Sequence, residues 1–186
     1  MVKQNKNGNK EFYLSKILKG VRSAISIGDY IKAEDTLRIA DKSYPDNPQV
    51  KVHFSNLYIK KGMIDQAKTY AQEALKLDIT NLDANRTLGN IFYEEAQQKE
   101  QSLDIRQARR AYIVAAKHFR SAFIYSSLRF RYRLLTRKAF NDYLRLTHPE
   151  KEAKKRFERY DSRLDELIKK ALERLKRKSN ISFSGI

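Results

Sequence analysis

The chain has 186 residues, 41% hydrophobic and 33% charged, with 11 Tyr, 9 Phe and neither Cys nor Trp. That apolar share is enough for a folded core, no apolar run reaches the ~20 residues of a membrane-spanning helix, and the lack of cysteine excludes disulfides, thiolate metal sites and cysteine nucleophiles. Lys and Arg total 39 against 22 Asp and Glu, a net charge of +17, which makes anionic partners the ones a long-range field would favour.

Residues 1–9 begin with the polar run Met1-Val2-Lys3-Gln4-Asn5-Lys6-Asn7-Gly8 and read as a flexible tail. No secretory leader is visible there, so a cytoplasmic location is expected. From residue 10 onward the apolar positions follow helical spacing, and the six glycines and three prolines serve as punctuation. A brief alternation at Arg129–Leu134 is the main strand-like signal, and it returns to helical spacing through Leu135–Phe140. The chain therefore reads as all α.

Gly28 and Gly62 lie 34 residues apart, and so do Ala33 and Ala67, Ala40 and Ala74, and Asn47 and Asn81. Paired alanines seven residues apart fall on one side of a helix, two turns from each other, where small side chains let a neighbouring helix approach. Glycine between two amphipathic stretches suits a tight helix–helix turn. These residues, with Phe54-Ser55, Tyr58, Tyr70 and Asp78-Ile79 in the second unit, Leu37 and Pro45 in the first, and Leu88-Gly89 and Phe92 opening a third, resemble the tetratricopeptide repeat. The resemblance covers roughly residues 14–126. It departs from the family where Ile79 stands at the usual proline and Gly20-Val21 at the large–small pair. It implies an α-solenoid of about three helical hairpins, at about 14–47, 48–81 and 82–126, within a repeat region at 10–126.

The third unit carries an insertion. Its second-helix pattern, Ala115, Phe119 and Ala122, comes fourteen residues late, and seven added to each helix keep both apolar faces in phase. A lengthened hairpin with its tip near Gln101–Asp104 is expected. Residues 128–146 place Leu128, Tyr132, Leu135, Ala139, Tyr143 and Leu146 on one helical face, either as a new helix or as a continuation through Ser126-Ser127. Thr147-His148-Pro149-Glu150 opens a last helix running to about Lys178, with Ala153, Phe157, Tyr160, Leu164, Leu167, Ile168, Ala171 and Leu175 as its apolar stripe. Residues 127–178 are read as basic helices that cap the solenoid, and 179–186 as a second tail.

Catalytic chemistry finds little support. His53, His118 and His148 lack metal-binding spacing, no glycine-rich phosphate loop occurs, and the adjacent carboxylates Glu94-Glu95 and Asp165-Glu166 read as surface charge. The chain is expected to be no enzyme, with no catalytic residue, metal or cofactor.

In the tetratricopeptide family, first helices line a concave groove that holds a partner segment. The resemblance implies a groove here built from Lys19, Arg22, Ser26, His53, Asn56, Lys60, Arg86, Asn90 and Tyr93, with Arg22, Asn56 and Asn90 in one row. The family's carboxylate clamp for Hsp70 and Hsp90 tails would fall on Leu18, Arg22, His53, Asp83 and Thr87, none of which matches, so an adaptor of that type is excluded.

Charge is concentrated in the third quarter: residues 105–148 hold 11 bases and one acid, Asp142, whereas 81–104 hold 2 bases and 5 acids. Arg106, Arg109, Arg110, Lys117 and Arg120 lie on one helix, and Arg129, Arg131, Arg133, Arg137, Lys138 and Arg145 on the next. An acidic protein partner is the leading expectation for this surface. RNA is the main alternative, with Tyr112, Tyr125, Phe130 and Tyr132 as stacking candidates, followed by an anionic membrane surface or a solvated face paired internally with 81–104 or the last helix.

Overall fold

A computed structural model describes residues 6–125 and 129–181, and every regular element among them is an α-helix. The order is α1 (Lys6–Ser26), α2 (Tyr30–Ser43), α3 (Pro48–Lys60), α4 (Ile64–Leu77), α5 (Leu82–Gln101), α6 (Ile105–Tyr125), α7 (Arg129–Arg145) and α8 (Glu150–Ile181). Two compact units divide the chain, Met1–Ile91 and Phe92–Ile186, with the boundary inside α5. Helix α1 begins at Lys6 and α8 reaches Ile181, so both enter the stretches expected as tails. A formed helix adds residues at one hydrogen bond each, and neither Lys6–Asn9 nor Ser179–Ile181 contains a proline to stop it.

In the first unit, each 34-residue coincidence has a structural job. Gly28 and Gly62 close the α1–α2 and α3–α4 turns in left-handed backbone, with φ of 83° and 74°. Ala33, Ala67, Ala40 and Ala74 are fully buried. Asn47 and Asn81 begin the next helix: the Asn47 side chain accepts from Gln49 N at 2.9 Å, and Asn81 accepts from Ala84 N at 3.0 Å. Pro48 adds a preset φ at the start of α3.

Helix α1 presents Leu14, Leu18, Val21 and Ala24 on one stripe, and α2 answers with Ala33, Leu37 and Ala40. Helix α3 is buried almost all round, through Val50, Val52, Phe54, Leu57 and Tyr58. The Tyr70 ring of α4 stacks on Phe54 at 4.7 Å and on Tyr58 at 5.4 Å. Buried Ser55 donates to the Ala67 carbonyl at 2.7 Å, tying α3 to α4 where both residues are small.

The second unit takes its length from the insertion. Helices α5 and α6 span 20 and 21 residues, against 13 and 14 for α3 and α4. The α5–α6 turn falls at Ser102–Asp104, and Asp104 caps α6 by accepting from Gln107 N at 3.1 Å. Contacts run antiparallel down the pair, from Phe92 on His118, through Tyr93 on Tyr112, to Glu100 on the Tyr112 hydroxyl. Helix α7 doubles back on α6: Ala115, Ala116 and Phe119 pack with Leu135, Ala139 and Phe140, and further along Ala111 and Tyr112 meet Tyr143 and Leu146. The two are thus separate antiparallel helices, and the junction expected at Ser126-Ser127 lies outside the described residues.

Helix α8 packs along α7 through a Phe140–Tyr160 stack at 3.9 Å, and its Leu164 is buried. Of its expected stripe, Ala153, Phe157 and Tyr160 are half-buried, and Leu167 is 44% exposed. Antiparallel packing explains this: Arg133, near the start of α7, already meets Asp165, so little of α7 remains to cover the later turns of α8. The side chains of Ile168, Ala171 and Leu175 lie outside the described residues. No helix among the described residues is long and apolar enough to cross a membrane.

Candidate partner-binding surfaces

Three helices of the first unit contribute a polar stripe each, because their opposite sides are used up in the core. On α1, Lys19, Arg22 and Ser26 are exposed. On α3, Gln49, His53, Asn56 and Lys60 recur at helical spacing; Asn56 is half-buried and Lys60 exposed. The first half of α5 adds Asp83 and Arg86, both half-buried, and exposed Asn90.

His53 joins these stripes. It is buried, with Nδ1 2.8 Å from the Gln49 carbonyl. Burial holds its pKa below the ordinary imidazole value; the Gln49 carbonyl opposes that shift, the Arg22 charge adds to it, and the Asp83 charge opposes it. The side chain is therefore neutral at pH 7 and, with Nδ1–H donating to Gln49, keeps Nε2 as an acceptor. Arg22 of α1 and Asp83 of α5 thus both act on an α3 side chain. Arg86 pairs with Asp83 at 3.0 Å, while its Nε is buried without a hydrogen-bond acceptor among the described residues. Tyr93 belongs to the second unit, where its hydroxyl donates to Asp142 at 2.6 Å and Lys138 sits 5.2 Å above its ring. That commitment comes from a residue far along the chain, and the spacing of α5 alone does not reveal it.

The basic surface of the second unit is divided by its neighbours. On α7, Arg133 pairs with Asp165 and Arg137 with Asp161 at 3.1 Å, and the Arg137 guanidinium lies 5.4 Å from the Phe157 ring. Arg145 pairs with Glu100 at 2.7 Å. That bond lowers the Glu100 pKa against the effect of burial, with the Tyr112 hydroxyl assisting. Burial first, then the hydrogen bonds to Asp142 and Glu100, push the phenols of Tyr93 and Tyr112 upward. The side chains of Arg129 and Arg131, like those of Tyr125, Phe130 and Tyr132, lie outside the described residues.

Helix α6 differs. It contains no Asp or Glu, and Arg106, Arg109, Arg110, Lys117 and Arg120 are all exposed without an ion pair among the described residues. Its stacking candidate Tyr112 is buried. The cations without an ion pair are therefore on α6, where Glu95 and Asp104 line a depression with Arg106 and Arg110, whereas Arg133, Arg137 and Arg145 of α7 are paired with acids of α8 and α5. A signal for this existed in the sequence: Asp161 and Asp165 are four residues apart, matching the spacing of Arg137 and Arg133.

No protein-family model matches the chain. Over 69 residues, 37% of its length, the chain is 37% identical to the Sol locus transcriptional repressor of Clostridium acetobutylicum, and the match spans 22% of that protein. A solved structure from Bacteroides ovatus, described provisionally as a protein-binding protein, aligns over 89% of this chain and 79% of its own. Its TM-score is 0.46 at 20% identity.

Proposed function

We propose that the protein is a non-enzymatic protein–protein interaction scaffold or adaptor, an α-solenoid of three tetratricopeptide-like hairpins closed by α7 and α8. In this reading α1, α3 and the start of α5 line a groove that holds a partner segment, and the cationic second unit attracts an acidic one. One observation carries the proposal: Arg22, Asn56 and Asn90 stand at the same register of three helices, on faces left polar while the remaining sides build the core. Asparagine can donate to and accept from a peptide backbone at once, and arginine suits carbonyl and carboxylate oxygens. Leu18 and Thr87 are buried, which supports excluding an Hsp70 or Hsp90 tail clamp at these positions, and Asp83 would repel such a tail.

The test is selection of peptides from a displayed library against the full chain, followed by titration of the best binder. Replacing Asn56 and Asn90 together by Ala should weaken that binding about tenfold or more, at about 1 kcal/mol per lost hydrogen bond, while circular dichroism shows unchanged helicity. Unaltered affinity would move the site away from this face.

A further inference from the structure

We infer that the outer face of α6 is a docking surface for an acidic segment of another protein, one carrying an apolar residue between its carboxylates. It rests on the proposed binding role, narrows the basic surface from two helices to α6 and specifies the occupant.

The first observation is the arrangement of charge. Arg106, Arg110, Lys117 and Arg120 follow a single stripe, with Arg109 at its edge, because Ala108, Ala111, Ala115 and Phe119 turn the other side of α6 into the core. The stripe runs for about 21 Å, the length of a four-turn helix or a six-residue extended segment. None of the five makes an ion pair among the described residues, in contrast to the paired Arg133, Arg137 and Arg145; the acids beside the stripe are Glu95 and Asp104, which share a depression with Arg106 and Arg110 and leave five cations against two carboxylates. A row of like charges held on a rigid helix is relieved by an external anion. Four of the five cations are arginine, whose planar fork fits carboxylates in bidentate fashion.

The second observation selects the occupant. Midway along the stripe the cations give way to Ile113, half-buried. Ile113 and the half-buried Tyr143 of α7 share a depression of about 530 Å3 with Arg106, Arg109 and Arg110. An apolar floor inside a guanidinium rim is the anatomy of a protein contact, in which one side chain fills a pocket and charges surround it. A phosphodiester strand would satisfy the rim, but of the floor only the half-buried Tyr143 ring offers a base a stacking surface, beside the aliphatic Ile113. A strand binds through a run of open aromatic faces, and the aromatic residues of α6 whose side chains are described, Tyr112 and Phe119, are both buried. Charge and apolar floor together fit an acidic peptide better than RNA.

Fluorescence anisotropy on the full chain decides between them, using three labelled probes of equal charge. One is a peptide with Leu-Phe flanked by glutamates, one an all-glutamate peptide, and one a single-stranded RNA. The Leu-Phe peptide should bind about tenfold more tightly than either of the others. Arg106→Glu with Arg110→Glu should lower its affinity by about tenfold or more at unchanged helicity. Ile113→Ser should weaken the Leu-Phe peptide severalfold and leave the all-glutamate peptide unaffected. Equal binding of the two peptides, tighter binding of the RNA, or indifference to the charge reversal would each overturn the inference. The variant lacking Asn56 and Asn90 should bind the Leu-Phe peptide as the unaltered chain does. Loss confined to the arginine pair supports the α6 surface whatever the groove binds, and loss confined to the asparagine pair would place the peptide in the groove and overturn the inference.

Discussion

Glu34 on α2 gathers three partners in the first unit. Its carboxylate accepts from Lys61 Nζ at 2.8 Å, from Arg38 at 2.6 Å and from the Tyr58 hydroxyl at 3.1 Å. The bonds to Lys61 and Arg38 outweigh partial burial and draw its pKa from 4.5 to about 2. A depressed carboxylate stabilises the fold in full above its unfolded pKa and loses that contribution as pH falls through the folded one. Here the window runs from about 4.5 down to about 2. Glu34→Gln should therefore cost about 1–2 kcal/mol at pH 7, discounted for screening at its open flank, and should flatten the acid limb in that window. Urea midpoints at pH 7 and below pH 3 check it, since equal losses at both would show that the charge is not responsible. Only the Arg38 contact, one turn away on the same helix, is legible in the sequence. Tyr58 and Lys61 are brought to Glu34 by the packing of α2 on α3, which no local spacing encodes.

Three helix–helix turns share one hydrogen-bond pattern and differ in chemistry. Asp29 N, Met63 N and Asp104 N each reach back five residues, to the carbonyls of Ala24, Tyr58 and Lys99, at 2.9, 2.8 and 2.8 Å. The preceding residue is left-handed each time: Gly28, Gly62 and then Leu103, at φ 60°. Leucine there is strained and 82% exposed, so its side chain returns little burial. Leu103→Gly should raise stability by about 1 kcal/mol. The next residue caps the following helix through Asp29 and Asp104, but Met63 makes no side-chain cap bond. Met63→Asp should likewise gain about 1 kcal/mol. Thermal melts of the two variants read both effects, and a lowered midpoint in either would contradict the turn analysis. Sequence spacing located the glycine turns because left-handed backbone selects a residue type. It could not mark Leu103 as their counterpart, since leucine carries no such signature.

Across the whole molecule the excess of 39 basic over 22 acidic residues sets the electrostatic balance. Several arginines are neutralised in pairs, yet the α6 stripe and many lysines remain exposed, so net repulsion opposes the folded state. Raising NaCl from about 20 to about 300 mM shortens the Debye length from about 20 Å to under 6 Å and should raise the Tm. A fall in Tm would mean that screening the ion pairs matters more than relieving the repulsion. The all-helical class, the buried alanines, the turn glycines and the capping asparagines were legible in the order of residues, because each depends on helical spacing or on backbone geometry that few residue types accept. Which cations remain without an ion pair left only one trace there, the four-residue spacing that Asp161 and Asp165 share with Arg133 and Arg137. Arg133, Arg137 and Arg145 appear as exposed in sequence as Arg106 and Arg110, and only the docking of α8 and α5 against them, through Asp161, Asp165 and Glu100, separates the two groups. Charge pairing between helices depends on which faces the core has already turned inward, and that is settled only when the helices pack.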